Sequence, residues 1–215
     1  MPRQIVRCPP DAEIVAGFER IREQMDVPVA FSDEVEAEAD AARVHGPQIP
    51  PGASSHVRDA REIPLVAIDP PGSRDLDQAF AAETLGAGHR VFYAIADVAA
   101  LVAPGGPVDM EARSRGLTLY SPDRRTSLHP ESINEDAGSL LAGQERQALL
   151  WTIDLDETGE ILDAHLERAR VTNRAQLTYA EAQHQIDDRT ASPSLALLRT
   201  IGEQRLALER ERGAV

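Results

Sequence analysis

The sequence predicts an α+β fold, a mixed sheet with flanking helices preceded by a short helical leader. Three observations predict it. Short apolar or alternating segments read as strands, and capping signals at Thr178 and Ser192 open helices. The two kinds of element mix without the regular βαβ beat of a doubly wound sheet. With 215 residues the chain can form one or two domains and bury a sizeable core.

In chain order, DAEIVAGFERIREQM (Asp11 to Met25) places Ile14, Phe18, Ile21 and Met25 at helical spacing. Ser32 before Asp33-Glu34 is an N-cap with an acidic first turn, opening a second, polar helix through about Val44. His45 to Pro64 carries four prolines and two glycines and reads as a linker. A boundary near residue 62 separates an acidic helical leader and linker, 1–62, from a sheet-bearing domain, 63–215.

IPLVAID is a short buried strand ending at Asp69. HRVFYAIADVAAL begins as a strand, with Val91, Tyr93 and Ile95 alternating against Arg90, Phe92 and Ala94, after a turn that suits Gly86 and Gly88. ALLWTIDLDETGEILDAHLERARV reads as a hairpin turning at Glu157-Thr158-Gly159. Thr178 and Glu181 form a capping box. Ser192-Pro193 starts a last helix toward Arg212, just short of the end of the chain.

Net charge is -14, and all 22 cationic residues are arginine. Codon bias in a GC-rich genome explains the missing lysine; phosphate recognition by the planar guanidinium is the functional alternative. An acidic total opposes wide, nonspecific nucleic-acid binding, so no DNA partner is expected, while a narrow arginine-lined channel remains compatible. No run of 18 apolar residues exists, and the start lacks the apolar core of a signal peptide, so no membrane partner is expected. Cys8 is the only cysteine, which excludes an intrachain disulfide and predicts a reducing, cytoplasmic setting.

The stretch IDPPGSRDLDQAF holds Asp69, Asp75 and Asp77 around a Pro-Pro-Gly turn. In an extended segment Asp75 and Asp77 leave the same face, and the turn can fold Asp69 back beside them. Like charges so gathered raise one another's pKa unless a cation joins them, and an all-carboxylate set suits Mg²⁺ or Mn²⁺ rather than zinc. Spacing alone leaves a second reading open, in which both acids are solvated and Arg74 neutralises one. Asp154-Leu-Asp156-Glu-Thr158-Gly159 starts like a calcium loop, but position 12 is His165 where glutamate is needed. No zinc spacing, Walker loop, G-x-G-x-x-G or G-x-S-x-G occurs.

ARSRGLTLYSPDRR places Arg113, Arg115, Arg124 and Arg125 around Tyr120. An aromatic among arginines suits base stacking and phosphate gripping; the alternative is a solvated loop with Tyr120 half-buried. Carboxylate loop and arginine segment together favour nucleic acid over small phosphate esters, although a small-substrate metal phosphoesterase is a further alternative.

VAIDPPGSRDLDQAF, FYAIADVAALV and RSRGLTLYSPDRRTSLHPESINEDAGSLLAGQERQALLWTIDLDETGEI, in this order and spacing, resemble the catalytic domain of the ribonuclease II/ribonuclease R family over roughly 64–215. The resemblance implies a Mg²⁺-dependent 3′→5′ exoribonuclease that releases nucleoside 5′-monophosphates from single-stranded RNA. The family's D-x₅-D-x-D-D pattern matches at Asp69, Asp75 and Asp77, and Gln78 stands at the fourth acidic position. By resemblance Asp69 and Asp75 hold metal and the 3′ end, Asp77 is the acid most tied to hydrolysis, and Tyr120 packs on the RNA. Gln78 would offer the metal a carbonyl oxygen without its charge. The matching part resembles only the first half of the family domain, which implies a fragment or truncated product with exposed strands. The alternative it leaves is a non-catalytic RNA- or partner-binding remnant.

Overall fold

The structure, a computed structural model, describes residues 12–49 and 56–213. Cys8, the predicted helix start at Asp11, the middle of the predicted linker and the closing Ala214-Val215 lie outside the described residues. The fold is α+β as the sequence predicts. Seven strands make one mixed sheet: β1 (Arg58–Asp59), β2 (Val66–Ile68), β3 (Gln78–Leu85), β4 (Gly88–Ala96), β7 (Glu145–Leu155), β8 (Ile161–Thr172) and β9 (Ala175–Leu177). Their order is β1-β8-β7-β4-β3-β2-β9. The β1/β8 and β2/β9 pairs are parallel and the others antiparallel. A separate ribbon pairs β5 (Leu119–Tyr120) with β6 (Arg125–Thr126).

Helices α1 (Ala12–Gln24) and α2 (Asp33–His45) form the leader, α3 (Pro107–Arg115) precedes the ribbon, and α4 (Tyr179–Asp187) and α5 (Pro193–Glu211) follow the sheet. The predicted hairpin, the Thr178/Glu181 capping box and the Ser192 cap are all present. Among the described residues no helix is long and apolar enough to cross a membrane.

Both faces of the sheet are covered around β3 and β4, whereas the Ile161–Leu166 half of β8 is exposed, with Leu162 68% accessible. One face is paved with Ala79, Ala81, Ala94, Ala96, Ala148 and Ala169, short side chains that leave room for Leu65, Leu76, Leu140 and Leu150. On the other face α5 lays Leu197 and Ile201 against Phe80, Ala82, Val91, Ile153 and Leu155. The β2/β3 pairing is limited to Val66 and Phe80, so the Ala82 N–H has no ladder partner; it donates to the buried Ser194 hydroxyl at 2.7 Å, tying α5 to the sheet. A Cβ on Gly88 would lie 2.0 Å from the Leu155 carbonyl oxygen, so β4 and β7 close only over glycine there.

The leader differs from its predicted form. Of the residues at helical spacing, Ile14, Ile21 and Met25 are exposed and Phe18 is half-buried, and the buried side chain on α1 is Arg22. Its guanidinium holds both Asp123 oxygens, at 2.7 and 2.9 Å, so a forked ion pair docks α1. In α2, Val35 and Ala39 share a core cluster with Leu101, Val108 and Ile133. Contacts therefore cross residue 62, and β1 joins the sheet edge from before it.

Candidate functional site

The carboxylate loop runs from the end of β2 to the start of β3 at one end of the sheet. Pro70-Pro71-Gly72-Ser73 turns with Gly72 at φ 83°, and the Ser73 N–H donates to the Pro70 carbonyl at 3.2 Å. Leu76, between the two predicted acids, is fully buried, which turns Asp75 and Asp77 outward together.

The loop backbone is pinned from three other stretches. The Asp69 N–H donates to Leu177 O at 2.9 Å, and Gln176 donates to Ser73 O at 2.9 Å. Buried Ser139 accepts from the Leu76 N–H at 2.9 Å and donates to Arg74 O at 2.5 Å. Leu140 N donates to Leu76 O at 2.8 Å, and Ala96 N donates to Asp77 O at 2.9 Å. Ser139 carried no signal in the sequence, because its role is set by a loop 63 residues away.

Asp77 feels its neighbours. Partial burial first, then the charges of Asp69 and Asp75, push its carboxyl above the ordinary range. The charges of Asp69 and Asp75 thus reach Asp77. The three acids do not form a ready cage, however: among the described residues no group of three or more His, Cys, Asp or Glu is arranged to hold a metal ion. Asp75 Oδ2 takes Arg125 Nη1 at 2.5 Å, and the other terminal nitrogen of Arg125 bonds Glu135. Gln78 points its amide oxygen at the Tyr93 hydroxyl in a short hydrogen bond. Burial, and the nearby Asp77 charge after it, hold the Tyr93 phenol above its ordinary value, so it stays a donor to Gln78. The donors are the right kind for a hard divalent cation, all oxygen, but are not assembled for one.

The arginine segment divides. Tyr120 is 78% exposed on the ribbon, directly across from Arg125, which replaces the half-buried alternative with an open aromatic face. Arg113 pairs with Asp109 one turn back on α3 and stays largely exposed. Arg124 reaches Glu19 of α1 at 3.1 Å. Arg115 is structural: its side chain is 3% exposed, stacked 3.7 Å over the Phe31 ring, and bonded to Glu111, Ser127 O and Ala30 O. Arg115, read from the sequence with the RNA-facing arginines, has its donors engaged within the protein, on Glu111 of α3, on Ser127 O and on Ala30 O of the leader. Arg115→Ala is expected to lower stability by about 2 kcal/mol without selective loss of RNA binding, as thermal melting beside a binding titration would show.

A cavity of about 390 Å³ lies behind the ribbon, lined among others by Arg124, Arg125, Thr126, Ser127 and His129. Burial pushes the His129 imidazole below its ordinary value, so it is neutral at pH 7. Arg22 and Glu135 escaped the sequence reading, since their partners lie on other elements.

Three comparisons bear on this arrangement. The family model described as RNB domain matches residues 57–215. Over 139 residues the chain is 34% identical to the exosome complex exonuclease RRP44 homolog A of Arabidopsis thaliana, covering 64% of this chain and 15% of that protein. Over 146 residues it is equally similar, at 34%, to an Arabidopsis thaliana protein named inactive exonuclease DIS3L2, covering 66% and 14%. The fold matches Mycoplasma genitalium RNase R in complex with ribose-methylated single-stranded RNA at a TM-score of 0.83 and 21% identity, over 94% of this chain and 32% of that one. The chain therefore spans a minor share of the length of the relatives it matches. A family match over most of the chain, with the RNase R-type mixed sheet and the carboxylate loop at its end, makes this chain a member of the RNB domain family.

Proposed function

We propose that this chain is the RNA-degrading part of a 3′→5′ exoribonuclease that hydrolyses single-stranded RNA to nucleoside 5′-monophosphates. One observation carries the reading: Asp75 and Asp77 leave the same side of the loop around buried Leu76, and Arg125 joins Asp75 to the ribbon that displays Tyr120. A phosphate needs cations and a base needs an aromatic face, and both stand beside the acids.

In this reading Tyr120 stacks on a base near the 3′ end, and Arg113 and Arg124 draw in the backbone. Asp69, Asp75 and Asp77 would hold Mg²⁺ or Mn²⁺, joined by the Gln78 amide once its oxygen leaves the Tyr93 hydroxyl, and the bound ion would supply a Lewis acid at the scissile phosphate. Asp77 would orient the attacking water through its carboxylate. Cytoplasmic residence is part of the proposal, supported by the lone Cys8.

The test incubates the chain with 5′-labelled single-stranded RNA and Mg²⁺. Progressive shortening from the 3′ end with release of 5′-monophosphates is expected; hydrolysis of small nucleotides but not of RNA overturns the reading. Tyr120→Ala is expected to weaken RNA binding about tenfold in fluorescence anisotropy at low salt, the loss of one stacked base.

A second reading has its own support. Gln78 replaces a charge in the acidic pattern, Arg125 occupies Asp75, and one relative is named an inactive exonuclease. In that case RNA binds through Tyr120 and Arg124 and is not cleaved at any metal concentration.

A further inference from the structure

The donor set and its arrangement disagree at one residue. Asp75 would be a cation ligand by its chemistry, and a cation is already on it: Arg125, at 2.5 Å, bridging to Glu135 through its second terminal nitrogen. Arg74 stands beside the same Glu135, donating to its backbone carbonyl at 3.4 Å. We propose that Arg125 is the resident counter-cation of the carboxylate loop, and that a divalent metal binds only by displacing it from Asp75. The proposal rests on reading the loop as a cation site, and deepens that reading by naming the residue that controls occupancy.

Three features support displacement over a permanent brace. The partners are only partly covered, with Arg125, Asp75 and Glu135 side chains 27%, 31% and 22% exposed, so each charge regains water when the bridge opens. Arg125 rides on a two-stranded ribbon separate from the main sheet, the least supported strand pair of the fold. The loop itself is held by its backbone, through Ser139, Leu140, Ala96, Gln176 and Leu177, so it keeps its shape when Arg125 leaves. Tyr120 and Arg125 face each other across the ribbon. A guanidinium released from Asp75 is therefore handed to the surface where the exposed aromatic ring stands, as a donor for a phosphate next to a stacked base.

The experiment measures Mn²⁺ binding to the full chain without RNA, by electron paramagnetic resonance of free Mn²⁺. Arg125→Gln is expected to bind about tenfold more tightly than the unaltered chain, because a competing positive charge is gone. Arg212→Gln makes the same change in net charge at an exposed pair with Glu160, and is expected to leave Mn²⁺ affinity unchanged. A second measurement needs no variant of Arg125: in the unaltered chain its side-chain Nε–H resonance is expected to shift as Mg²⁺ is added. Equal affinity of Arg125→Gln and the unaltered chain, no Mn²⁺ binding by either, or an Nε–H signal that ignores Mg²⁺ overturns the proposal. Because no readout involves RNA cleavage, a chain that binds Mn²⁺ as expected yet leaves RNA intact refutes the nuclease reading alone.

Discussion

If the chain is the proposed nuclease, Asp77→Asn is expected to lower hydrolysis of single-stranded RNA by about a hundredfold or more, measured as release of 5′-monophosphate under saturating Mg²⁺. The substitution keeps the shape of the side chain and removes one oxygen's charge. The Asp77 backbone stays fixed, because its carbonyl accepts from Ala96 N at 2.9 Å whatever the side chain. The same change acts on stability in the opposite sense. Partial burial and the charges of Asp69 and Asp75 raise the folded-state pKa of Asp77, so the folded chain holds this proton more tightly than the unfolded one. The ionised group is thus a burden above the raised pKa, and the burden fades as pH falls toward the ordinary aspartate value of about 3.9. Asp77→Asn is expected to be slightly more stable than the unaltered chain at pH 7, with the gap closing below pH 4, in urea titrations at the two pH values. The gap stays small because the side chain remains open to water. A variant that loses stability at pH 7 while keeping its activity contradicts both halves of the assignment.

Leu76→Ala carries the second large effect, about 2–5 kcal/mol of stability. Leu76 is fully buried among Leu65, Leu140 and the alanine-paved face, so truncation leaves a cavity that short neighbours cannot collapse to fill. It also removes the anchor that turns Asp75 and Asp77 to the same side, so metal and RNA binding are expected to fall with stability. Leu162→Ala, at a side chain 68% exposed on β8, is expected to stay within about 0.5 kcal/mol of the unaltered chain. Urea unfolding of the two variants separates the buried leucine from the exposed one.

What could be read from the sequence follows the range of the interaction behind it. The capping box at Thr178 and Glu181, the Ser192 cap and the Glu157-Thr158-Gly159 turn are decided within four residues, and all were legible. β3 was not. In QAFAAETL alanines stand on both faces, because both are covered, and the alternation that marks a strand is blurred. α3 was hidden as well, since its stripe is polar and its start is a Gly-Pro pair that also suits a turn. In the site, the acids were legible from local spacing and the fates of the arginines were not. Arg22 meets Asp123 101 residues away, and Arg125 meets Asp75 across 50. Nothing near Arg115 distinguishes it from Arg113, yet Phe31 and Ala30 O bury one and leave the other in water. For α1 the spacing predicts a helix, which is present, but apolar spacing does not say which side meets the protein.

The anchors of the Asp69–Asp77 segment come from residues 96, 139, 140, 176 and 177. During synthesis the segment leaves the ribosome about a hundred residues before the last of these clamps does. Until Leu177 has emerged and β9 has docked beside β2, the Asp69 N–H lacks its acceptor and the loop has only its anchors at Ala96, Ser139 and Leu140. The carboxylate loop therefore reaches its final shape only after β9, the last-made strand of the sheet, is in place.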